Sequence, residues 1–300
     1  MGGPPGPIGW SERVDATTII SQMFTGVASG MMLVLMALGL TLIFGVMNVV
    51  NFGHGALFMV GAYAVHFVQH QTGSIWAALL LAPVLVGVLG LAIERGLMRP
   101  LYDRSEEDPI LMTFGLTYVF IESMRLIFGK VGLPVDPPAS LGAPVEVGPL
   151  LLPSYLVFSV FASLLAVVGL WLFQEKTNIG LIVRAGSRDS TMVRVLGLDF
   201  NRVRLLSFAV GTALAGLAGA LSAPMRGVIP EMGKHVLPQA FVVVVVGGKG
   251  SFWGTVASGL LVGLTVALTS LWFPSLADVV MYVLMAVVLL LRPKGLFGRE

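Results

Sequence analysis

Long apolar runs separated by short polar breaks fill most of this chain. The runs at 23–46, 75–93, 110–128, 154–173, 205–223, 252–272 and 276–291 are of near-bilayer length. A hydrocarbon core of about 30 Å takes roughly twenty apolar residues in a helix. Two further runs are shorter. Residues 56–68 resume an apolar pattern that Asn48, Asn51 and the Gly53-His54-Gly55 triplet interrupt, and residues 241–246 end in Gly247-Gly248-Lys249-Gly250-Ser251. The pattern predicts an all-α polytopic transmembrane helical bundle of about eight or nine crossings, some with broken or re-entrant helices.

Composition points the same way. The chain is 56% hydrophobic and 11% charged, where soluble domains carry about 25% charged residues. Its 37 glycines suit membrane helices, whose close approach favours small side chains. A net charge of +2 gives no support to a nucleic-acid partner, and the absence of cysteine removes disulfide and thiol chemistry. The first fifteen residues are Gly/Pro-rich and then polar. They lack the basic and short apolar regions of a cleaved signal, so the first membrane helix is expected to direct insertion. The expected organisation is a polar N-terminal segment at 1–22, a membrane domain at 23–292 and a basic tail at 293–300.

Lys and Arg set the expected orientation. The loop holding Arg95, Arg99 and Arg104, the polar island at 174–204, Lys249 and the tail carry thirteen of the eighteen basic residues. Alternate crossings bring all of these to one side, which the positive-inside rule makes cytoplasmic. The C-terminus then lies inside. The N-terminus and the Pro/Gly-rich loops at 129–153 and 224–238 lie outside.

The two interruptions carry the first functional expectation. Irregular backbone at membrane depth must be shielded by protein or line a wet cavity, and paired interruptions point to a path built from discontinuous helices. Asn48, Asn51 and His54 are the candidates for lining that path. Their amides and imidazole equally suit structural pairing inside a bent helix. Gly53, Gly55, Gly248 and Gly250 are expected to permit the bends. Two ordinary short interhelix turns remain the plainer alternative.

Catalytic patterns are missing. The histidines at 54, 66, 70 and 235 form no HExxH, and there is no GxSxG elbow. The sequence GGKGS lacks phosphate-loop spacing, because Gly rather than Ser or Thr follows Lys249. No cofactor, metal or enzymatic activity is expected. Glu122 and Arg125 share a helix face and read as a structural ion pair. Asp278 reads as a helix N-terminal charge. This scarcity of buried carboxylates argues against transport driven by protons through this chain alone.

The island at 174–204 is too long and too patterned for a simple turn. Within it Asp189 is a suitable N-cap and Gly197 a suitable helix stop. The short helix between them places Met192, Val195 and Leu196 on one face, with Arg188 and Arg194 at its edges. Such a helix calls for a partner groove, or for packing onto lipid headgroups or the floor of the bundle.

The segments TLIFGVMNVVNFGHGALFMVGAYA, RAGSRDSTMVRVLGLDFNRVR, FAVGTALAGLAGAL, VVVVVGGKGSFWGTVASGLLVG and LLRPKGLFGR occur in order. Together they resemble the inner-membrane permeases for branched-chain amino acids, over about residues 20 to 298, and look most like the shorter permease type. The resemblance implies one membrane subunit of an ATP-binding-cassette importer in a bacterial inner membrane. A second permease subunit would stand beside it in the lipid. Cytoplasmic ATP-binding subunits would dock below, and a periplasmic substrate-binding protein would deliver the solute. It also implies that Arg184, Arg188, Asp189, Ser190, Val195, Leu196 and Gly197 form the ATPase-coupling surface. Related permeases carry urea, short amides or aromatic acids. A self-contained channel or secondary transporter is the alternative, and it would need ion-coupling carboxylates that the sequence scarcely offers.

Overall fold

The computed structural model describes residues 15–298 apart from 103 and 106. Helices dominate it: α1 Ala16–Met47, α2 His54–Thr72, α3 Ile75–Ile93, α4 Glu107–Phe128, α5 Ser154–Lys176, α6 Asn178–Arg188, α7 Ser190–Val195, α8 Phe200–Arg226, α9 Met232–Gly247, α10 Phe252–Trp272 and α11 Ala277–Leu291. Seven helical segments are long and apolar enough to cross a membrane, and α9 is a shorter apolar helix. The expected all-α polytopic bundle is present.

α1 is the axis of the bundle. Its 32 residues span about 48 Å at 1.5 Å per residue, and nearly all its side chains from Met31 to Met47 are buried. It packs against α8, α9, α10 and α5, while α2 and α3 pack on α8. Small residues make these contacts possible. A side chain at Gly30 would run into the carbonyl of Gly259 on α10, and one at Gly61 into the backbone of Gly216 on α8. Backbones this close exchange dispersion contacts where no hydrophobic force drives association. By contrast α3, α4, α5 and α11 turn large apolar side chains outward, among them Leu80, Leu111, Leu165 and Leu290. These faces suit contact with hydrocarbon.

Three boundaries differ from the sequence reading. α1 begins at Ala16, ahead of the apolar run that starts at 23; residues 1–14 lie outside the described part. The loop at 224–238 is mostly helix, since α8 continues to Arg226 and α9 begins at Met232. Pro224 and Pro238 sit inside these helices, where neighbouring helices make the lost N–H tolerable. The loop at 129–153 folds into a hairpin, Val145–Val147 paired antiparallel with Leu150–Leu152. It also bridges Leu133 to Val228, just beyond α8.

Candidate functional site

The basic end of the bundle is built by α6, α7 and the start of α8. Thr177 begins α6, its Oγ1 accepting from the Gly180 N–H at 3.0 Å. Arg184 then ties α6 back to α5, bonding the Gln174 carbonyl and lying 3.4 Å from a Glu175 carboxylate oxygen. Arg184 therefore braces the element rather than projecting from it. α7 forms where its local signals place it. Asp189 Oδ1 accepts from the Met192 N–H at 2.9 Å, and Gly197 closes the turn at φ +77°. Among the described side chains of α7, Val193 is 2% exposed and anchors the turn. Met192 at 56%, Val195 at 76% and Leu196 at 69% face outward. Arg188 and Ser190 belong to the same segment, but their side chains lie outside the described part.

This end connects to the core through residues the sequence reading passed over. α3 continues as a π-helical turn, Glu94–Met98, which carries the buried Glu94. Tyr102 Oη donates to Glu94 Oε1 at 2.9 Å, and the Arg204 guanidinium lies 4.4 Å from the Tyr102 ring centre. A cavity of about 430 Å³ beside it is lined by residues including Asn48, Tyr102, Arg104, Gly186 and Ser187. Gly186 of α6 lines that cavity and packs against the Phe200 ring at the start of α8. No periodicity flags such a cluster, since its members come from four separate elements.

The first interruption splits the expected path residues. Asn48 ends α1 with φ 55° and ψ 22°, a left-handed stop, and is exposed at the basic end. The chain then turns back into the bundle. His54 lies beside Met36, a residue well inside α1, and donates from Nε2 to the Met36 carbonyl at 3.1 Å. The irregular backbone between them is sheltered by α4. The Phe52 N–H donates to Thr113 Oγ1 and the Phe52 carbonyl accepts from Thr117 Oγ1, both at 3.2 Å. Asn51 and His54 are almost wholly buried, and Asn51 Nδ2 and His54 Nδ1 have no hydrogen-bond partner among the described residues.

The glycines also split. Gly53 has an ordinary φ of −67°, and Gly55 lies in the first turn of α2, where a side chain would strike the Gly233 carbonyl of α9. Neither adopts a left-handed backbone, and Gly55 permits close packing on α9. Gly248 and Gly250 have φ of +96° and +73° and do make a bend. The second interruption is a tight turn at the basic end, closed by the C-terminal residues. The N–H groups of Leu296 and Phe297 donate to the carbonyls of Val246 and Gly247 at 2.8 and 3.2 Å. They satisfy carbonyls that the end of α9 leaves without helical partners. The expected basic tail is thus docked over residues 292–298.

At the other end, the expected Glu122–Arg125 pair is present and extended. Arg125 bonds both Glu122 and Glu231, with Nε 3.1 Å from Glu231 Oε1. The Arg125 hydrogen bond holds the Glu231 carboxyl below the usual carboxylate range. Asp278 lies in the first turn of α11 as expected.

A polytopic helical bundle with an exposed apolar helix at one end and a sheltered break in its core has the build of a membrane transport subunit. A family model described as the permease component of branched-chain amino acid transport systems matches residues 22–289, and the chain belongs to that family. It is 30% identical over 296 residues to the high-affinity branched-chain amino acid transport system permease protein LivH of Escherichia coli strain K12, covering 93% of this chain and 96% of LivH. It is 29% identical over 297 residues to BraD of Pseudomonas aeruginosa, with the same coverage. LivM of Escherichia coli strain K12 is more distant, at 24% over 317 residues and 72% of its length. No solved structure matches the chain. The chain is a multi-pass membrane permease component of the LivH and BraD kind.

Proposed function

We propose that this chain is one permease subunit of an ATP-driven importer of branched-chain amino acids. The basic end faces the cytoplasm, and the C-terminus with it. The exposed Met192 and Val195 of α7, with Leu196 just beyond it, seat in a groove of a separate ATP-binding subunit. A second permease completes the membrane part, as the likeness to both LivH and LivM suggests. A solute receptor engages the opposite face. ATP binding and hydrolysis shift α7 and α6, and the packing of Gly186 on Phe200 passes the shift to α8. The bundle then moves between outward- and inward-open states, because nucleotide and loaded receptor bind those states unequally. The buried Asn51 and His54 lie along the route in this reading. Asn48 sits at its cytoplasmic exit.

The observation that carries the reading is the outward apolar face of a helix anchored by Val193 alone among its described side chains. Leu196→Asp tests it, since an exposed position tolerates the change without loss of fold. ATPase subunits should no longer co-purify, and uptake should fall at least tenfold while membrane expression persists. Unchanged association and uptake would remove α7 as the coupling element.

A further inference from the structure

At the end of the bundle opposite α7, a cavity of about 250 Å³ opens between α1, α2, α8, α9, α10 and α11. A single water needs only about 15 Å³ of such space, so a solute of amino-acid size fits. The cavity has two chemically distinct parts. Met32, Leu33, Phe58, Val236 and Val262 give it an apolar part, and all five are buried. Arg226, ending α8, and Asp278, in the first turn of α11, give it a charged part. Both charged residues are open to solvent. Among the described residues no salt bridge joins either one to a partner. Thr25, Ser29, Ser222 and Gln239 add neutral hydrogen-bonding groups to the wall.

A cation at the end of one helix and an anion at the start of another each suit the helix dipole. The dipole does not explain why two helices distant in sequence bring these charges to one cavity with an aliphatic interior. An amino acid has the complementary layout: a carboxylate and an ammonium on one carbon, and an apolar side chain beyond. We propose that this cavity binds a zwitterionic α-amino acid with an aliphatic side chain, Arg226 taking the carboxylate, Asp278 the ammonium and the buried apolar wall the side chain. The inference rests on the importer reading and gives it a residence site on the face away from the ATPase. Taking up a zwitterion leaves the net charge of the cavity unchanged. A ligand lacking one of the two groups leaves a charge facing it unpaired, which lowers affinity and supplies selectivity. Each buried methylene of the side chain adds roughly fourfold in affinity.

The test is equilibrium binding of radiolabelled L-leucine to the purified permease complex in lipid nanodiscs, with the receptor omitted. Leucine, isoleucine and valine should compete. Leucinol, which lacks the carboxylate, and isocaproate, which lacks the ammonium, should each compete about tenfold less well or worse. Arg226→Gln should abolish the preference for leucine over leucinol, and Asp278→Asn the preference over isocaproate. The analogue series on the unaltered complex decides the matter even where a variant fails to assemble. No saturable binding up to millimolar leucine, or equal competition by leucine, leucinol and isocaproate, overturns the site. Receptor-dependent uptake by the same preparation separates the two claims. Uptake without such binding sinks the site alone. Binding without ATP-driven uptake leaves the site standing and sinks the importer reading.

Discussion

The two glycine-rich interruptions resemble each other in sequence and are opposites in structure. Residues 48–53 re-enter the bundle and depend on another helix, with Thr113 and Thr117 supplying partners for the backbone of Phe52. Residues 247–251 stay at the basic end as a turn closed mainly by backbone, the N–H groups of Leu296 and Phe297 capping α9. α9 links the two, since Gly233 near its start packs on Gly55 and Gly247 ends it. Polar breaks in apolar runs therefore announce that the chain changes course. Their glycines do not say whether the cause is a turn or a close approach. In the first break the left-handed residue is Asn48, and Gly55 serves packing.

The contrast is open to direct attack. The largest effect is expected from pairing Gly55→Val with Gly250→Ala. At Gly55 the added side chain meets the Gly233 carbonyl and the Leu237 Cβ, and overpacking of this kind should destabilise by about 3 kcal/mol or more. At Gly250 nothing lies within 4 Å, and the left-handed backbone should cost only about 1 kcal/mol. Thermal unfolding of the detergent-purified complex reads both. Equal losses would mean that the two breaks are alike after all.

A middle-sized effect should come from Thr113→Val, which keeps the shape of a wholly buried residue but removes the acceptor for the Phe52 N–H. An orphaned buried donor costs about 1–3 kcal/mol. The matching loss should be absent for Ser251→Ala at the second break, where the hydroxyl only caps the Gly254 N–H at 3.1 Å and about 1 kcal/mol is at stake.

The smallest effect concerns pH. Arg125 holds the Glu231 carboxyl below its ordinary range, so this contact stabilises the start of α9 at pH above that range. The contribution is lost as pH falls through the lowered value, because the unfolded chain binds the proton more readily. Melting temperatures on an acid series should fall less steeply for Glu231→Gln than for the unaltered protein. Parallel curves would show that the contact is too solvated to matter, which its half-exposed carboxylate makes the main competing effect.

Legibility followed the range of the interactions involved. Ile75–Ile93 and Phe252–Trp272 were read at their ends because hydropathy and the local caps Ser74 and Ser251 agree. α7 was read because its N-cap and its stop act within one turn, from Asp189 to Met192 and at Gly197. α6 is not legible in the sequence, since Gly180 and Gly186 disfavour a helix that Arg184 secures by bonding to the end of α5. The candidate site shows the same divide. Met192, Val195 and Leu196 share an outward face as their spacing predicts. Asn48 stands exposed at the basic end while Asn51 and His54 are buried in the bundle, because the chain turns back between them. Arg226 and Asp278 line one cavity that no spacing could announce.

From the sequence alone come the membrane class, the number and approximate ends of the apolar helices, the basic side and the short capped helix. These depend on transfer of side chains to lipid and on hydrogen bonds between near neighbours, so each segment carries its own answer. Only the tertiary structure decided which break is buried, which glycines are spacers, how the C-terminal residues cap α9, and which charges converge. Those outcomes depend on a partner from another helix, and the identity of that partner is fixed when the helices pack.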